Sequence, residues 1–146
     1  GIRHRRTSGH AAQRDRRMSS HIGAFALVVD DYDRAIAYYT GTLGFELRED
    51  SPRENGKRWV LVAPPGAQTA ILLAKAANEI QQACIGKQTG GRVGYFLHTD
   101  DFERDYALFL KRGVHFCEQP RHEVYGSVAV FEDLYGNRWD LLQLNP

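Results

Sequence analysis

The side chains of this sequence that most often do chemistry, its six histidines and two cysteines, fall into no familiar catalytic spacing. Cys84 and Cys117 stand 33 residues apart and form no Cys-x-x-Cys pair. This spacing favours two reduced thiols over a disulfide or a zinc–thiolate site. The sequence contains neither a nucleophile elbow nor a phosphate-binding glycine loop. Chemistry must therefore rest on isolated polar groups in predicted strands.

Two of these groups are His98 and Asp140. His98 ends a predicted strand beside Asp100, where an imidazole can contact a ligand or act as a general base. It can equally be a half-exposed histidine near a helix cap. Asp140 lies in an otherwise apolar strand, and a buried carboxylate needs a partner or its pKa rises. Arg138 shares its predicted face, so a structural ion pair and a role in a site both stay open.

Arg58 and Trp59 begin a strand in the first half of the chain. A guanidinium beside an indole can hold an anionic or aromatic ligand, although Trp59 can also simply pack. His122, Glu123 and Tyr125 fall on a predicted connection over 120–126. A phenol there could close over a ligand, because binding residues concentrate on loops, or the segment is an ordinary surface loop.

The elements that position these groups follow from periodicity. Apolar runs predict strands at 22–29, 45–48, 58–63, 69–74, 93–99, 114–117, 127–132 and 138–144. Asp31 and Asp101 are predicted helix caps, and Gly44 and Gly113 are predicted helix stops. A short helix is expected near 78–84.

The order of elements occurs twice. Residues 29–34 match residues 99–104 at an offset of 70, which indicates a duplicated βαβββ unit. We therefore predict an α+β fold in which two βαβββ modules form curved half-sheets around a cleft, where small ligands bind. The repeats are expected at about 21–75 and 93–145, with a connector at 76–92, in a single domain over 18–146.

Composition limits the class of protein. With 146 residues, 42% hydrophobic and 25% charged, the chain fits one globular domain and holds no apolar run long enough to span a bilayer. Residues 1–17 carry a net charge of +5 and no apolar pattern, so we expect a disordered or non-native basic tail before Met18. The remaining net charge of −4 argues against nucleic-acid binding. Reduced thiols fit a cytoplasmic protein.

Two motifs carry a family resemblance. One is Val28-Val29-Asp30-Asp31, followed by Asp33-Arg34-Ala35-Ile36-Ala37-Tyr38-Tyr39 and Leu43-Gly44-Phe45. The other is Phe131-Glu132-Asp133-Leu134-Tyr135-Gly136-Asn137-Arg138-Trp139-Asp140-Leu141. They resemble the opening and closing motifs of the vicinal oxygen chelate superfamily, which includes glyoxalases, bleomycin resistance proteins and extradiol dioxygenases. The resemblance implies that superfamily's fold over residues 21–144.

The resemblance also implies where a metal would bind. The four ligand positions of metal-using members fall on Ala24, near Leu72, on Gly94 and on Asp140, and only Asp140 can bind a metal. We therefore expect no cofactor. A divalent metal is expected only with an atypical ligand set, such as His98, Asp140 and His122 or Glu123.

Small residues at Ala24 and Gly94 predict open volume in the cleft. We expect a small-molecule ligand there. Its predicted contacts are Ala24, Arg58, Trp59, Gly94, Phe96, His98, Tyr125, Arg138 and Asp140.

Three functions stay open on the sequence. The first is a metal-independent small-molecule binder. The second is a glyoxalase-like lyase or dioxygenase-like oxidoreductase with an atypical metal set or His98 as base. The third is a regulatory domain with a vestigial cleft. A homodimer is expected because two half-sheets leave long edges.

Overall fold

The computed structural model of the chain describes residues 19–146 and divides them into two sheets with three α-helices. The predicted basic tail over 1–17 lies outside the described residues. The strands are β1 (Ala24–Val29), β2 (Glu46–Pro52), β3 (Arg58–Ala63), β4 (Ala70–Lys75), β5 (Tyr95–His98), β6 (His115–Phe116), β7 (Arg121–Glu123), β8 (Gly126–Glu132) and β9 (Arg138–Leu144). The helices are α1 (Tyr32–Ala37), α2 (Glu79–Cys84) and α3 (Phe102–Lys111), with a π-turn at Tyr38–Thr42 and a 3₁₀ turn at Glu54–Gly56.

The two halves follow the same path. In the first sheet the strand order is β1-β4-β3-β2, and in the second it is β5-β9-β8-β6, with β7 also pairing with β8. The first and last strands of each half are parallel neighbours, β1 with β4 and β5 with β9. The other pairs are antiparallel. The predicted α+β fold of two βαβββ modules is confirmed.

Equivalent aspartates begin the main helices. The Asp31 carboxylate accepts a hydrogen bond from the Arg34 amide at 2.8 Å, and the Asp101 carboxylate accepts one from the Arg104 amide at 3.1 Å. Each bond satisfies an amide that the first helical turn leaves unpaired. Gly44 (φ 77°) follows the first helical segment in the left-handed conformation that ends a helix.

The structure corrects two element boundaries. Strand β2 continues to Pro52, because its ladder with β3 runs on to the Pro52–Arg58 pair, whereas the sequence predicted a strand only over 45–48. Residues 121–123 form strand β7 rather than a loop. They pair with 126–128 of β8 across a tight connection, and this pairing overrides the polar composition that predicted a connection.

Each sheet has two unlike faces. The helix-covered faces, which include Leu27, Val62, Leu73, Phe131 and Leu141, are buried against the helical segments in one continuous core. The opposite sides are here called the open faces. Register places Leu61 and Leu72 on the open face of the first sheet, and Phe96 and Asp140 on that of the second.

Within residues 19–146, no helix is long and apolar enough to cross a membrane.

Candidate functional site

A large cavity lies where the two halves meet. Its volume is about 920 Å³, and its walls come from β1, β4, the β3–β4 turn, the connector before β5, β5 itself and β9. The lining residues include Phe25, Ala26, Leu27, Phe45, Pro64, Pro65, Gly66, Ala67, Thr69, Ala70, Ile71, Gln88, Thr89, Gly94, Tyr95, Phe96, Leu97, His98 and Trp139. The cavity is thus built from both repeats, and neither half could form it alone.

Aromatic rings form the inner wall of the cavity. The Trp139 ring is 4% exposed and lies 5.0 Å from the Tyr95 ring between centroids. Phe45 meets Trp139 edge-on at 6.1 Å, and Phe131 stacks on it from the core side at 5.8 Å. Such contacts hold the rings in fixed positions, so this wall is rigid.

A buried polar network behind this wall fixes β9. The Tyr39 hydroxyl donates to the Asp133 carboxylate, which also accepts hydrogen bonds from the Tyr135 amide and from the amide and side chain of Asn137. Burial first, and then the Asp133 charge, raise the pKa of Tyr39 well above its ordinary value. The indole N–H of Trp139 lies close enough to the Tyr39 oxygen to oppose this slightly, yet makes no proper hydrogen bond within the described residues.

Polar groups at the cavity are few and mostly engaged. The Gln88 side chain donates to the Ala26 carbonyl at 2.7 Å and accepts from the Val28 amide at 2.9 Å, which covers the edge of β1. The Thr69 hydroxyl donates to the Ile22 carbonyl at 2.8 Å. Among the described residues that line the cavity there is no Asp, Glu, Lys or Arg. Burial also raises the pKa of Tyr95, so that phenol stays neutral.

The β3–β4 turn is held from outside the cavity. The Arg48 guanidinium donates to the Pro64 carbonyl at 2.8 Å and to the Ala67 carbonyl at 3.0 Å. These two bonds fix the turn that supplies one wall.

The structure divides the predicted ligand contacts among three places. Gly94, Phe96 and His98 border the cavity, as the sequence suggested for a cleft between the halves. The volume beside Gly94 is not open on every side, however. A Cβ at Gly94 would lie 2.2 Å from the Thr89 methyl carbon, so the expectation of free space above this glycine was wrong there.

Asp140 and Arg138 lie on the open face of the second sheet but do not border the cavity. One Asp140 carboxylate oxygen is buried without a hydrogen-bond partner in the described chain. Burial raises the pKa of this carboxyl; nearby Arg121 opposes the shift and Glu118 adds to it. The ion pair between Arg138 and Asp140, one of the two roles left open by the sequence, does not form, and Arg138 contacts Glu132 at 3.7 Å.

Other predicted contacts lie farther from the cavity. Arg58 forms ion pairs with Asp50 at 2.7 Å and Asp33 at 2.9 Å, which tie β3 to β2 and α1. Trp59, 40% exposed, has the Arg53 guanidinium over its ring at 5.7 Å. Ala24 is exposed where β1 begins, and Tyr125 is exposed in the turn between β7 and β8.

Sequence reasoning missed much of the cavity wall. Phe25 has the strand parity of the core residue Leu27, yet it is 59% exposed and borders the cavity. The sequence could have indicated this only through the position of Phe25 near the start of its strand, before the buried Leu27. Nothing in the local sequence marks Gln88, since its bonds to Ala26 and Val28 span about 60 residues.

Comparison with known proteins settles the family. The sequence model of the Glyoxalase/Bleomycin resistance protein/Dioxygenase superfamily matches residues 21–141. The chain belongs to this superfamily. A protein of uncharacterised function from Shewanella frigidimarina (strain NCIMB 400) is 53% identical over 130 residues, which is 88% of this chain and 96% of that protein.

Solved structures of superfamily members share the fold. The crystal structure of TnmS3, an antibiotic-binding protein from Streptomyces sp. CB03234, is 33% identical with a TM-score of 0.71, covering 88% of this chain and 98% of that one. A superfamily member from Sphaerobacter thermophilus DSM 20745 is 28% identical with a TM-score of 0.69, covering 86% and 98%.

The metal ligand positions that the superfamily resemblance implies do not fit a metal in this chain. Ala24 and Leu72 lie on β1 and β4, Gly94 precedes β5, and only Asp140 on β9 offers a ligating side chain. The lone buried oxygen of Asp140 is a single carboxylate ligand, and a divalent ion needs several convergent ones.

Proposed function

We propose that this protein is a small-molecule-binding member of the superfamily that takes an uncharged aromatic ligand into the cavity between its halves. The observation that carries the proposal is the cavity wall, which is rich in aromatic side chains and free of charged ones among the described lining residues.

Size and polarity support this assignment. A volume of about 920 Å³ falls in the range of pockets that hold drug-sized ligands, roughly 300–1,000 Å³. A charged ligand would lose its hydration there without meeting an opposite charge, and that is costly. An aromatic ligand could instead stack against Phe25 or Phe96, the two rings of the cavity wall that are more than half exposed.

The likeness to TnmS3 supports small-molecule binding. That protein, 33% identical over nearly its whole length, is an antibiotic-binding protein. From the aromatic and uncharged cavity wall we infer that the ligand of this chain is an aromatic natural product or drug rather than a phosphorylated or ionic metabolite.

A matched pair of fluorescent probes tests the proposal. N-phenyl-1-naphthylamine is uncharged, and 8-anilinonaphthalene-1-sulfonate is the same ring system with a sulfonate. We expect the uncharged probe to bind at least about tenfold more tightly, because each 1.4 kcal/mol of desolvation changes affinity tenfold. Equal affinities, or tighter binding of the sulfonate, would contradict the proposed ligand class.

Two variants locate the probe. Phe25→Ala and Phe96→Ala each remove a ring from the cavity wall, and both rings are more than half exposed, so stability should change little. Each should weaken binding of the uncharged probe about three- to tenfold. Leu110→Ala is the matched control, since Leu110 is 49% exposed on α3 and does not line the cavity. Equal weakening by the control would place the probe elsewhere.

An enzyme of the lyase or dioxygenase type is the second candidate, because the His98 ring borders the cavity and could serve as a general base. Binding and turnover differ in one observable. A binding protein leaves a bound aromatic ligand chemically unchanged after long incubation, which mass spectrometry can show. A reaction product that forms with the wild-type protein but not with His98→Ala would favour the enzyme.

We further propose that no metal binds at the superfamily's usual positions. Metal content of protein purified without chelator tests this, followed by Asp140→Asn. Stoichiometric metal that Asp140→Asn removes would contradict the proposal.

We propose a homodimer in which a second copy covers the open faces. Trp59 is 40% exposed on the open face of the first sheet, and Leu61 and Leu72 beside it are half-buried. Burying such side chains favours association. Light scattering should give a dimer mass, and Trp59→Glu should shift it towards the monomer. A monomer mass for the wild-type protein at all micromolar concentrations would contradict the dimer.

We propose a cytoplasmic location. Both cysteines are free thiols, which persist in a reducing compartment. Fractionation of cells that express the chain, with detection by antibody, tests this placement.

A further inference from the structure

Three side chains with metal-binding atoms meet at the edge of the second sheet. His115 in β6 pairs directly with Glu132 in β8, so their side chains lie side by side. The Cys117 amide donates to the Val130 carbonyl at 2.8 Å, which continues the ladder past β6. Since Cys117 is two residues after His115, its side chain lies on the same face.

The three groups are close enough to share one ion. A ring nitrogen of His115, the sulfur of Cys117 and a carboxylate oxygen of Glu132 all lie within 4.8 Å of one another. His115 and Cys117 are exposed and Glu132 is half-buried. An ion could therefore reach them from solvent without opening the fold.

We propose that His115, Cys117 and Glu132 bind a zinc-class transition-metal ion through three protein ligands, with the fourth position open to water or a small anion. A thiolate with an imidazole selects zinc or cobalt over magnesium and calcium, which prefer oxygen ligands. Three protein ligands and one open position form the usual arrangement of a zinc ion that can bind an exogenous group.

This site is separate from the superfamily's usual metal positions. Those positions fall on β1 and β4, before β5, and on β9, whereas the new ligands lie on β6, just after it, and at the end of β8. The site is also independent of the cavity between the halves, and none of its residues lines that cavity.

The required movement is small. Zinc bonds of about 2.0–2.3 Å in a tetrahedron place ligand atoms roughly 3.5 Å apart. Closing from within 4.8 Å needs side-chain rotation of the order of 1 Å, which the exposed imidazole and thiol can make.

A thiol must lose its proton to bind a metal ion. Binding replaces the S–H bond of Cys117 by a metal–sulfur bond and releases that proton to solvent, so affinity should rise with pH. The groups that face the thiol are His115, Glu118, Glu132 and Arg138.

Cobalt(II) titration of the full chain under reducing conditions tests the site. We expect one ion per chain with a thiolate-to-cobalt charge-transfer band, which zinc then abolishes by displacement. Cys117→Ser should remove the band, while Cys84→Ser, which changes the other free thiol, should keep it. His115→Ala and Glu132→Gln should each weaken cobalt binding at least about tenfold, since even outer-shell changes have that effect on metal sites.

His122→Ala is the matched control, because His122 is an exposed histidine of neighbouring β7 whose ring bonds to Ser127. It should leave cobalt binding unchanged. A band that survives Cys117→Ser, no band at millimolar cobalt, or equal weakening by His122→Ala would overturn the proposal.

A second readout needs no variant. Zinc should slow alkylation of Cys117 by N-ethylmaleimide at least about tenfold, measured by mass spectrometry, while the rate at Cys84 stays constant. Unprotected Cys117 at saturating zinc would also overturn the proposal. Neither outcome bears on probe binding in the cavity, so failure here leaves the proposed function intact.

Discussion

The β3–β4 turn and the β8–β9 turn occupy the same place in the two halves, yet their surroundings differ. Each is closed by a similar backbone bond, from the Ala67 amide to the Pro64 carbonyl and from the Gly136 amide to the Asp133 carbonyl, both 3.1 Å long. The second turn buries its polar side chains in the core, and the first forms a wall of the cavity. The two equivalent turns therefore differ: the second contributes polar groups to the core, and the first lines the cavity.

Asp133→Ala tests most directly whether the β8–β9 turn stabilises the fold. The change leaves the Tyr39 hydroxyl and the Asn137 side chain buried without their acceptor. Each unsatisfied group costs about 1–3 kcal/mol, so we expect the free energy of unfolding to fall by about 3–4 kcal/mol in urea titrations.

Gln68→Ala in the β3–β4 turn is the matched control for Asp133→Ala. Gln68 is exposed, and its loss should change stability by less than about 0.5 kcal/mol. Similar losses from the two changes would mean that the turns are equally structural.

Arg48→Gln tests the functional side of the comparison. It removes the two bonds that hold the β3–β4 turn from outside. We expect the affinity for N-phenyl-1-naphthylamine to fall about tenfold, or about 1.4 kcal/mol, because the wall is no longer preorganised. Unfolding measured in parallel should show a loss under about 1 kcal/mol; a larger loss with unchanged affinity would reverse the assignment of roles.

Asp140 gives a pH test in the strand that the second turn opens. Burial raises the pKa of its carboxyl, so the folded chain keeps this proton to higher pH than the unfolded chain. The contribution of Asp140 to stability is therefore present at low pH and is lost as pH rises through the folded pKa.

Asp140→Asn should accordingly raise the free energy of unfolding at pH 7, by less than about 1 kcal/mol. The gain should disappear below about pH 3.9, the ordinary carboxyl value, where both states hold the proton. Asp100→Asn, whose side chain is 89% exposed, should show no such gain. Destabilisation by Asp140→Asn at neutral pH would mean that its charge has a partner.

Tyr135→Phe should have the smallest effect. The Tyr135 hydroxyl donates to the Asp30 carboxylate at 2.7 Å and links the β8–β9 turn to the residues before α1. The ring is half-exposed, so removing its hydrogen bond should lower the free energy of unfolding by about 0.5–1 kcal/mol. A loss as large as that for Asp133→Ala would move the stabilising role from the network to this one bond.

The sequence predicts those parts of the molecule that depend on local chemistry. Asp31 and Asp101 were recognisable as helix caps, and Gly44 and Gly113 as helix stops, because capping and positive φ involve residues a few positions apart. The repeat predicted the same succession of elements along the chain in both halves. Asp140 was recognisable as a buried carboxylate because it interrupts an apolar strand.

Parts that depend on distant contacts were not predictable. The bond from Tyr39 to Asp133 joins residues 94 positions apart, and Gln88 reaches β1 across 60. Strand parity could not show that Arg58 would form its ion pairs with Asp33 and Asp50. The cavity wall contributed by the β3–β4 turn follows from the packing of the halves, which no local pattern encodes.

The parallel pairing of first and last strands in each half also governs how the chain must fold. Ala24 pairs with Ala70, and Tyr95 pairs with Trp139. The parallel strands of each half can therefore pair only after about 45 residues, including a helix, have been synthesised. The chain loses the entropy of closing a loop of that size before packing contacts compensate for it, and this slows folding. Domains dominated by such pairings fold in milliseconds to seconds rather than microseconds. During synthesis the first sheet can close as soon as β4 leaves the ribosome, while the second cannot close until β9 has emerged. Until Gln88 has been synthesised, the edge of β1 in the first half lacks its hydrogen-bond partner. We therefore expect the first half to be the part most prone to associate with other unfolded chains.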